Sequence, residues 1–345
     1  MKLLFVSGPG RSGTTLLRDL LDGHPQISVW PNEWQYISLY TRYVNKDLSE
    51  KMSVSEILTC FQKDRSKFAP VLDGTVNDHR LSDRKGRFLE LNPDFATRAW
   101  AEKDKRVDAK EFYYLVANSF KWLDSQEIFC NKCNDPENII DYIAYFRKAK
   151  FIFIIRDPVE SYISKLKHRA KGYPLGYSGF PHSIPLFSFL EIKDFFKMLH
   201  VVRSIPDIFK NILILKMEDM LDDRIGKLKE MTDFLKIDYT DSLNRLTFFG
   251  EPVPGYFVDH KEGADNILSK EATIDKEAAL TINEKKWFST YETLFSPYYP
   301  DIEEKIDKIK TVSLFARSYR YYKKYQKIKS ISFLRAYLKL LKVMD

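Results

Sequence analysis

Residues 3–25 read LLFVSGPGRSGTTLLRDLLDGHP, and this stretch decides the fold class. A short apolar run leads into a glycine-rich turn, after which leucines recur at helical spacing. A strand, a glycine-rich turn and a helix in this order are the usual setting of a phosphate-binding loop. Gly8, Gly13 and Thr15 fit the spacing of the Walker pattern, but Thr14 stands where that pattern has lysine.

The turn can attract an anion without that lysine. A glycine-rich turn at a helix N-terminus presents unpaired backbone N–H groups and the positive end of the helix dipole. The hydroxyls of Ser12, Thr14 and Thr15 add donors, and Arg11 adds a planar cation. The missing lysine argues against ATP or GTP hydrolysis and favours a shorter anionic group. On this stretch alone, a turn without a ligand remains the alternative.

Other apolar runs alternate with helical patterns along the chain. KFIFII at 150–155 is the strongest strand, and QISVW at 26–30, EIFCNK at 127–132 and NILIL at 211–215 predict three more. Strands that alternate with helices imply a parallel sheet with helices on both faces. We therefore predict an α/β protein, a P-loop-like three-layer fold with a central parallel sheet, in one domain over residues 1–310.

Residues 311–345 are predicted to form a separate basic amphipathic tail. From Lys308 to the C-terminus, eleven Lys or Arg residues stand against one acid, whereas the whole chain carries +7. Aromatic and aliphatic residues are interleaved with these cations, as in helices that lie on anionic membrane surfaces. Packing on the protein's own domain is the next interpretation. Nucleic acid ranks last, and we predict no nucleic-acid partner.

Several classes of protein are disfavoured by composition. The apolar runs are far shorter than the ~20 residues of a membrane-spanning helix, and no signal-peptide pattern is present. The three cysteines, Cys60, Cys130 and Cys133, are too few for a disulfide scaffold. The C-x-x-C pair lacks the further ligands of a zinc site. We expect a cytoplasmic protein with no metal.

The stretch GPGRSGTTLLRDLLDGHP resembles the 5′-phosphosulfate loop of sulfotransferases that use 3′-phosphoadenosine 5′-phosphosulfate (PAPS) as sulfuryl donor. Among these it looks most like the tyrosylprotein sulfotransferases and related carbohydrate sulfotransferases. The resemblance implies that the 5′-phosphosulfate is cradled by Arg11, Ser12, Gly13, Thr14 and Thr15.

A second motif fits the same family. FIIRDPVESYIS at 153–164 resembles the segment that binds the 3′-phosphate, with Arg156 closing a strand and Ser164 eight residues later. An arginine at the carboxyl end of a strand faces the crevice in which α/β sheets bind ligands. A salt bridge to a neighbouring acid is the alternative for Arg156.

The resemblance also implies the catalytic residues. Sulfuryl transfer to an alcohol needs a base for the acceptor's proton and a cation for the departing phosphate. Glu33 in WPNEWQY occupies the place of the base, and Lys132 in FCNKCNDP, with Arg11, that of the cation. Glu33 lies nine residues past His24, about one more than in those enzymes. A helix-terminal carboxylate and an ordinary strand-end lysine are the alternatives.

Weaker assignments complete the site. Met217 stands where the family has a tyrosine, so that hydrogen bond is lost or replaced. Lys270 or Lys276 would close over the nucleotide, and spacing does not choose between them. His24 follows a helix and precedes proline, which favours a capping or packing role over a catalytic one.

The predicted acceptor is a hydroxyl group, on a sugar or a lipid-linked glycan, with a phenol or peptide tyrosine left open. Golgi relatives carry an N-terminal membrane anchor, whereas this sequence begins at its first strand, which favours a prokaryotic type of enzyme. Two other functions remain as alternatives: a P-loop kinase that uses ATP, and a non-catalytic nucleotide-binding protein at a membrane surface.

Overall fold

The computed structural model describes residues 1–63, 98, 101–121, 123–133, 136–172, 183–248, 250–252 and 279–311. In chain order the helices and strands are β1 (Lys2–Ser7), α1 (Thr14–Asp22), β2 (Ile27–Glu33), α2 (Tyr36–Tyr43), β3 (Met52–Ser53), α3 (Val54–Lys63), β4 (Arg106–Val107), α4 (Ala109–Phe120), β5 (Ile128–Lys132), α5 (Pro136–Tyr145), β6 (Lys150–Ile155), α6 (Pro158–Gly172), α7 (Ser183–Arg203), α8 (Pro206–Phe209), β7 (Ile212–Lys216), α9 (Met217–Asp222), α10 (Arg224–Leu235), β8 (Thr247–Phe248), β9 (Glu251–Pro252), β10 (Ala279–Leu280), α11 (Ile282–Thr290), α12 (Glu292–Phe295), α13 (Ile302–Lys308) and β11 (Lys310–Thr311). The predicted fold class is confirmed: α/β, with a central parallel sheet flanked by helices.

Five strands form that sheet in the order β2-β5-β1-β6-β7, with every neighbouring pair parallel. From β1 the chain crosses to β2 on one side, and from β6 it crosses to β7 on the other. The winding therefore reverses between β1 and β6. In open α/β sheets, ligands bind beyond the carboxyl ends of the strands at such a reversal.

Aromatic packing fixes β1 in the middle of the sheet. Phe5 is fully buried, and its ring centroid lies 4.9 Å from that of Tyr142, 5.2 Å from Phe151 and 5.4 Å from Phe146. Burying one such side chain contributes about 2–3 kcal/mol. Tyr142 lies on α5, Phe146 directly follows that helix, and Phe151 lies on β6, so these rings hold β1 in place.

The described chain groups into two compact units. The first comprises residues 1–156 and 198–272 and holds the five-stranded sheet; the second comprises residues 157–197 and 273–345. The predicted single domain over 1–310 stays a prediction. All of the predicted tail beyond Thr311 lies outside the described residues.

Within the second unit, Asp157 immediately precedes α6. Its Oδ1 accepts hydrogen bonds from the backbone N–H groups of Val159 and Glu160, and its Oδ2 lies 2.9 Å from Lys305 Nζ. Burial raises the pKa of the Asp157 carboxyl above its ordinary value. The Arg-Asp-Pro sequence therefore has a structural role, because it ends β6 and caps the next helix.

The described helices include none that is long and apolar enough to cross a membrane.

Candidate functional site

The turn between β1 and α1 requires its glycines. A Cβ atom on Gly8 would lie 2.1 Å from the carbonyl oxygen of Ile154 and 2.6 Å from Ser12 Oγ. Gly13 has a φ of 100°, in the left-handed region, and a Cβ there would lie 2.8 Å from Met217 Sδ. The turn is thus pressed against the end of β6 and the start of α9, where only glycine fits without displacing a neighbour.

The N-terminus of α1 is built to receive an anion. Gly13 is its N-cap residue, and no side chain caps the helix. Ser12 Oγ is buried and has no hydrogen-bond partner among the described residues, although buried hydroxyls are normally satisfied. Arg11 is exposed and has a φ of 73°, a strained conformation that clusters at ligand sites. An orphaned hydroxyl, an uncapped helix and a nearby guanidinium fit a phosphate-like group.

Glu33, Lys132 and Thr15 come together at the carboxyl edge of the sheet. Lys132 Nζ donates hydrogen bonds to Glu33 Oε1 at 2.8 Å and to Thr15 Oγ1 at 2.7 Å. The two charged residues end neighbouring strands and are register partners. Thr15 belongs to the first turn of α1, so the ion pair lies directly beside the anion-binding turn.

A bulge in β2 produces this alignment. Val29 pairs with Cys130, and Glu33 pairs with Lys132. Three residues separate Val29 from Glu33 on β2, whereas Asn131 alone separates their two partners on β5. Bulges of this kind redirect side chains and are frequent beside active sites. The extended spacing between His24 and Glu33 therefore does not remove Glu33 from the site.

Lys132 and Glu33 differ in how much of each side chain is exposed to solvent. Lys132 is 5% exposed, and burial lowers the pKa of its ammonium group below the ordinary value. The Glu33 side chain is 32% exposed. The carboxylate thus remains accessible to an incoming molecule, while the cation is held in a water-poor position where its field is strong.

Arg156 and Ser164 belong to different parts of the described chain. Arg156 immediately follows β6 at the carboxyl edge of the sheet, next to the strand that precedes the turn, and it is partly exposed. Ser164 lies on α6 in the second unit. The turn follows β1 and Arg156 follows β6. These two predicted anion contacts therefore lie where the winding of the sheet reverses.

The remaining candidates have mainly structural surroundings. His24 is buried; its Nε2 donates to the carbonyl oxygen of Asp238 at 2.8 Å, and its Nδ1 accepts from the Gln26 N–H. Cys130 and Cys133 are buried free thiols, and burial raises the pKa of Cys130 far above its ordinary value. No cluster able to hold a metal ion occurs within the described residues.

Met217 packs against the turn instead of donating a hydrogen bond to it. Lys270 and Lys276 lie outside the described residues.

Arg18 is a buried residue beside the site that was not predicted from the sequence. Its guanidinium is buried in α1, where Nη1 donates to the carbonyl oxygen of Pro31 at 2.7 Å and Nε donates to Asp19 Oδ1 at 2.8 Å. The only sequence signal is a charged pair within the otherwise apolar TTLLRDLLD. From the sequence alone, such a charged pair is expected on the solvent-exposed face of a helix.

The family model described as "Sulfotransferase family" matches residues 4–241. No match is found among curated proteins.

Solved structures with a similar fold include the sulfotransferase domain of the Synechococcus PCC 7002 olefin synthase, with a TM-score of 0.53 and 17% identity over 85% of this chain and 94% of that one. The sulfotransferase domain from the curacin biosynthetic pathway has a TM-score of 0.52 and 15% identity over 84% of this chain and 97% of that one. Mouse sulfotransferase SULT7A1, crystallised with PAP, has a TM-score of 0.44 and 14% identity over 89% of this chain and 88% of that one. The first two share the predicted P-loop-like architecture.

Proposed function

The chain belongs to the sulfotransferase family, and from that premise we propose that it moves a sulfuryl group from PAPS to a hydroxyl acceptor, most simply a sugar or glycan. Family membership confirms the predicted resemblance to sulfotransferases. The closer likeness to tyrosylprotein sulfotransferases stays a prediction. The observation that carries the proposal is the meeting of Glu33, Lys132 and Thr15 beside the turn.

The turn is proposed to bind the 5′-phosphosulfate. The N-terminus of α1 has no side-chain cap and the Ser12 hydroxyl no hydrogen-bond partner among the described residues, so both can supply donors without a Walker lysine. Gly13, Thr14 and Thr15 continue this surface, and Arg11 adds the charge that a phosphosulfate attracts. The backbone and hydroxyls position the donor, so little rearrangement is needed when it binds.

Arg156 and Ser164 are proposed to bind the 3′-phosphate. The position of Arg156 after β6, beside the strand that leads into the turn, supports this assignment for the arginine. A guanidinium can bind two phosphate oxygens at once. The assignment of Ser164 rests on its place in the motif alone.

Glu33 is proposed to accept the proton of the acceptor hydroxyl. As it does so, the acceptor oxygen forms a bond to sulfur, and the bond between sulfur and the bridging oxygen of the 5′-phosphate breaks. The electron pair of the broken bond stays on the phosphate oxygen, where Lys132 and Arg11 stabilise the added negative charge. A positioned carboxylate contributes ~10²–10⁴-fold to such a step.

The class of acceptor and the location of the protein in the cell are two further proposals. A glycan or lipid-linked glycan would fit a protein whose basic C-terminal segment contacts an anionic membrane surface from the cytoplasm. The ATP-dependent alternative is not favoured, because the matched family transfers sulfuryl groups.

A radiolabelled transfer screen tests the proposed function. Purified protein is incubated with [³⁵S]PAPS and cell-envelope glycans, lipids or phenols, and labelled products are counted. We expect label on one hydroxyl-bearing class and loss of transfer in Glu33→Gln, which keeps the shape of the side chain but cannot take a proton. Glu127→Gln, at an exposed salt bridge to Lys2, is the matched control. Transfer that is unaffected by Glu33→Gln would contradict the assigned base.

A further inference from the structure

Arg18 connects the helix of the anion-binding turn to the strand that carries Glu33. It is 4% exposed, and its guanidinium divides its hydrogen bonds between two partners. Nη1 donates to the Pro31 carbonyl oxygen at 2.7 Å, while Nε and Nη2 donate to Asp19 Oδ1. A planar fork of donors can serve both partners at the same time, which a lysine ammonium on a flexible stem cannot do as well.

Pro31 lies inside the bulge that aligns Glu33 with Lys132. The bulge spans the residues between Val29 and Glu33, where the register with β5 shifts. A bulge leaves backbone groups outside the regular ladder, and such buried groups need other partners. Arg18 supplies that partner for the Pro31 carbonyl oxygen.

The chain on the other side of Glu33 is held separately. The carbonyl oxygen of Trp34 accepts hydrogen bonds from Asn131 Nδ2 at 2.9 Å and from the Tyr142 hydroxyl at 3.0 Å. Glu33 thus sits between two anchored carbonyl groups, one held from α1 and one from β5 and α5. The hydrogen bond from Arg18 to the Pro31 carbonyl oxygen comes from a charged group.

We propose that Arg18 is a positioning residue for sulfuryl transfer: through the Pro31 carbonyl it holds the β2 bulge, and so fixes Glu33 relative to Lys132 and the turn. This inference rests on the proposed function, since it concerns the same reaction. It goes further because it assigns two roles in the reaction to α1. The turn at its N-terminus receives the donor, and Arg18 on its second helical turn places the base.

The energetics of Arg18 favour this role over a purely stabilising one. Removing a charged pair from water costs several kcal/mol, and apolar residues of similar size are often as stable at such sites. Stability alone therefore gives little reason for a buried Arg18–Asp19 pair. Control of the position of Glu33 gives a stronger reason for the pair, because an error of ~1 Å in the position of a catalytic group can cost ~100-fold in rate.

The first test uses Arg18→Lys in the full chain. This variant keeps a cation beside Asp19 but cannot hold Pro31 with the same fork. We expect kcat to fall ~10–100-fold while KM for PAPS stays within about threefold. Hydrogen exchange in peptides covering residues 29–34 should become faster. The matched control is Phe248→Leu, which removes the ring 5.4 Å from Arg18 Cζ and leaves the hydrogen bonds; its kcat should stay within about threefold of the wild type.

A second variant covers the case in which Arg18→Lys does not fold. Arg18→Met combined with Asp19→Asn removes both charges together, which is tolerated better than removing one partner. It should show the same fall in kcat, whereas Asp19→Asn alone should not. An unchanged kcat in the double variant Arg18→Met, Asp19→Asn overturns the proposal. A fall of both kcat and melting temperature in the control variant Phe248→Leu overturns it as well.

The exchange measurement separates this inference from the proposed function. If the wild type transfers no sulfuryl group to any acceptor, the proposed function fails. Faster exchange of residues 29–34 in Arg18→Lys would then still support a bulge held by Arg18. Unchanged exchange in that segment would overturn the inference whether or not transfer occurs.

Discussion

Replacing Lys132 with methionine should separate catalysis from stability. Methionine keeps most of the apolar stem but removes the ammonium group that donates to Glu33 Oε1 at 2.8 Å and Thr15 Oγ1 at 2.7 Å. Burial is the largest influence on the pKa of Lys132, and it outweighs the attraction of Glu33. The protein therefore holds this cation at a cost to folding, as expected for a functional group.

The change in stability follows from opposing contributions. The ion pair is worth about 1 kcal/mol, because the 32%-exposed Glu33 side chain can be rehydrated. The hydrogen bond to Thr15 adds about 1 kcal/mol. Relief of ammonium desolvation offsets part or all of this loss. With an unfolding entropy of ~2.1 cal/mol/K per residue, the net change should move the melting temperature of this 345-residue chain by no more than about 3 °C.

The rate of transfer should respond much more strongly. Losing one preorganised donor at a site of developing negative charge typically costs ~10²–10³ in kcat. Single-turnover [³⁵S]PAPS transfer and a thermal melt, run on the wild type, Lys132→Met and Lys132→Arg, measure both quantities. Lys132→Arg keeps the charge and should retain more activity than Lys132→Met. A melting temperature lowered by ten degrees or more, or transfer at the wild-type rate in Lys132→Met, would refute this reasoning.

Three further variants test other parts of the site. Gly8→Ala places a Cβ 2.1 Å from the Ile154 carbonyl oxygen, so PAP binding by calorimetry should weaken at least ~10-fold; unchanged affinity would mean that the turn does not form the site. Glu33→Gln should lower kcat ~10²–10⁴-fold and leave PAP affinity within about threefold, and an equal loss of both would argue against a base. Because burial lowers the pKa of His24 below 6.5, the unfolded state alone binds its proton just below pH 6.5, and the melting temperature should fall as the pH drops through that range. His24→Gln should flatten this slope in thermal melts.

Local sequence patterns predicted much of the fold. The strands at 2–7 and 150–155 were identified because an uninterrupted apolar run ends abruptly at glycine or at Arg-Asp-Pro. The helix after the glycine-rich turn was identified because leucines recur at helical spacing in TTLLRDLLD. These signals depend on neighbouring residues, so a single sequence contains them.

The arrangement of the site depends on contacts that are distant in sequence. Nothing local places β5 between β2 and β1, and that order alone brings Lys132 beside Glu33. The bulge in β2 was visible only as an unexplained extra residue after His24. Arg18 was missed because a charged residue in a short helix is usually exposed, whereas here it is buried and bonded to the Pro31 carbonyl oxygen.

The binding of PAP to wild-type protein and Arg156→Met, measured by titration calorimetry with ATP–Mg²⁺ for comparison, tests most directly whether the turn and the end of β6 hold one adenosine phosphosulfate. We predict one PAP per chain, binding at least ~10-fold tighter than ATP–Mg²⁺. Since a hydrogen bond to a charged group contributes ~1.5–3 kcal/mol, Arg156→Met should weaken PAP binding ~10–100-fold. Equal affinity for PAP in the two proteins, or a preference for ATP–Mg²⁺, would contradict the proposed site.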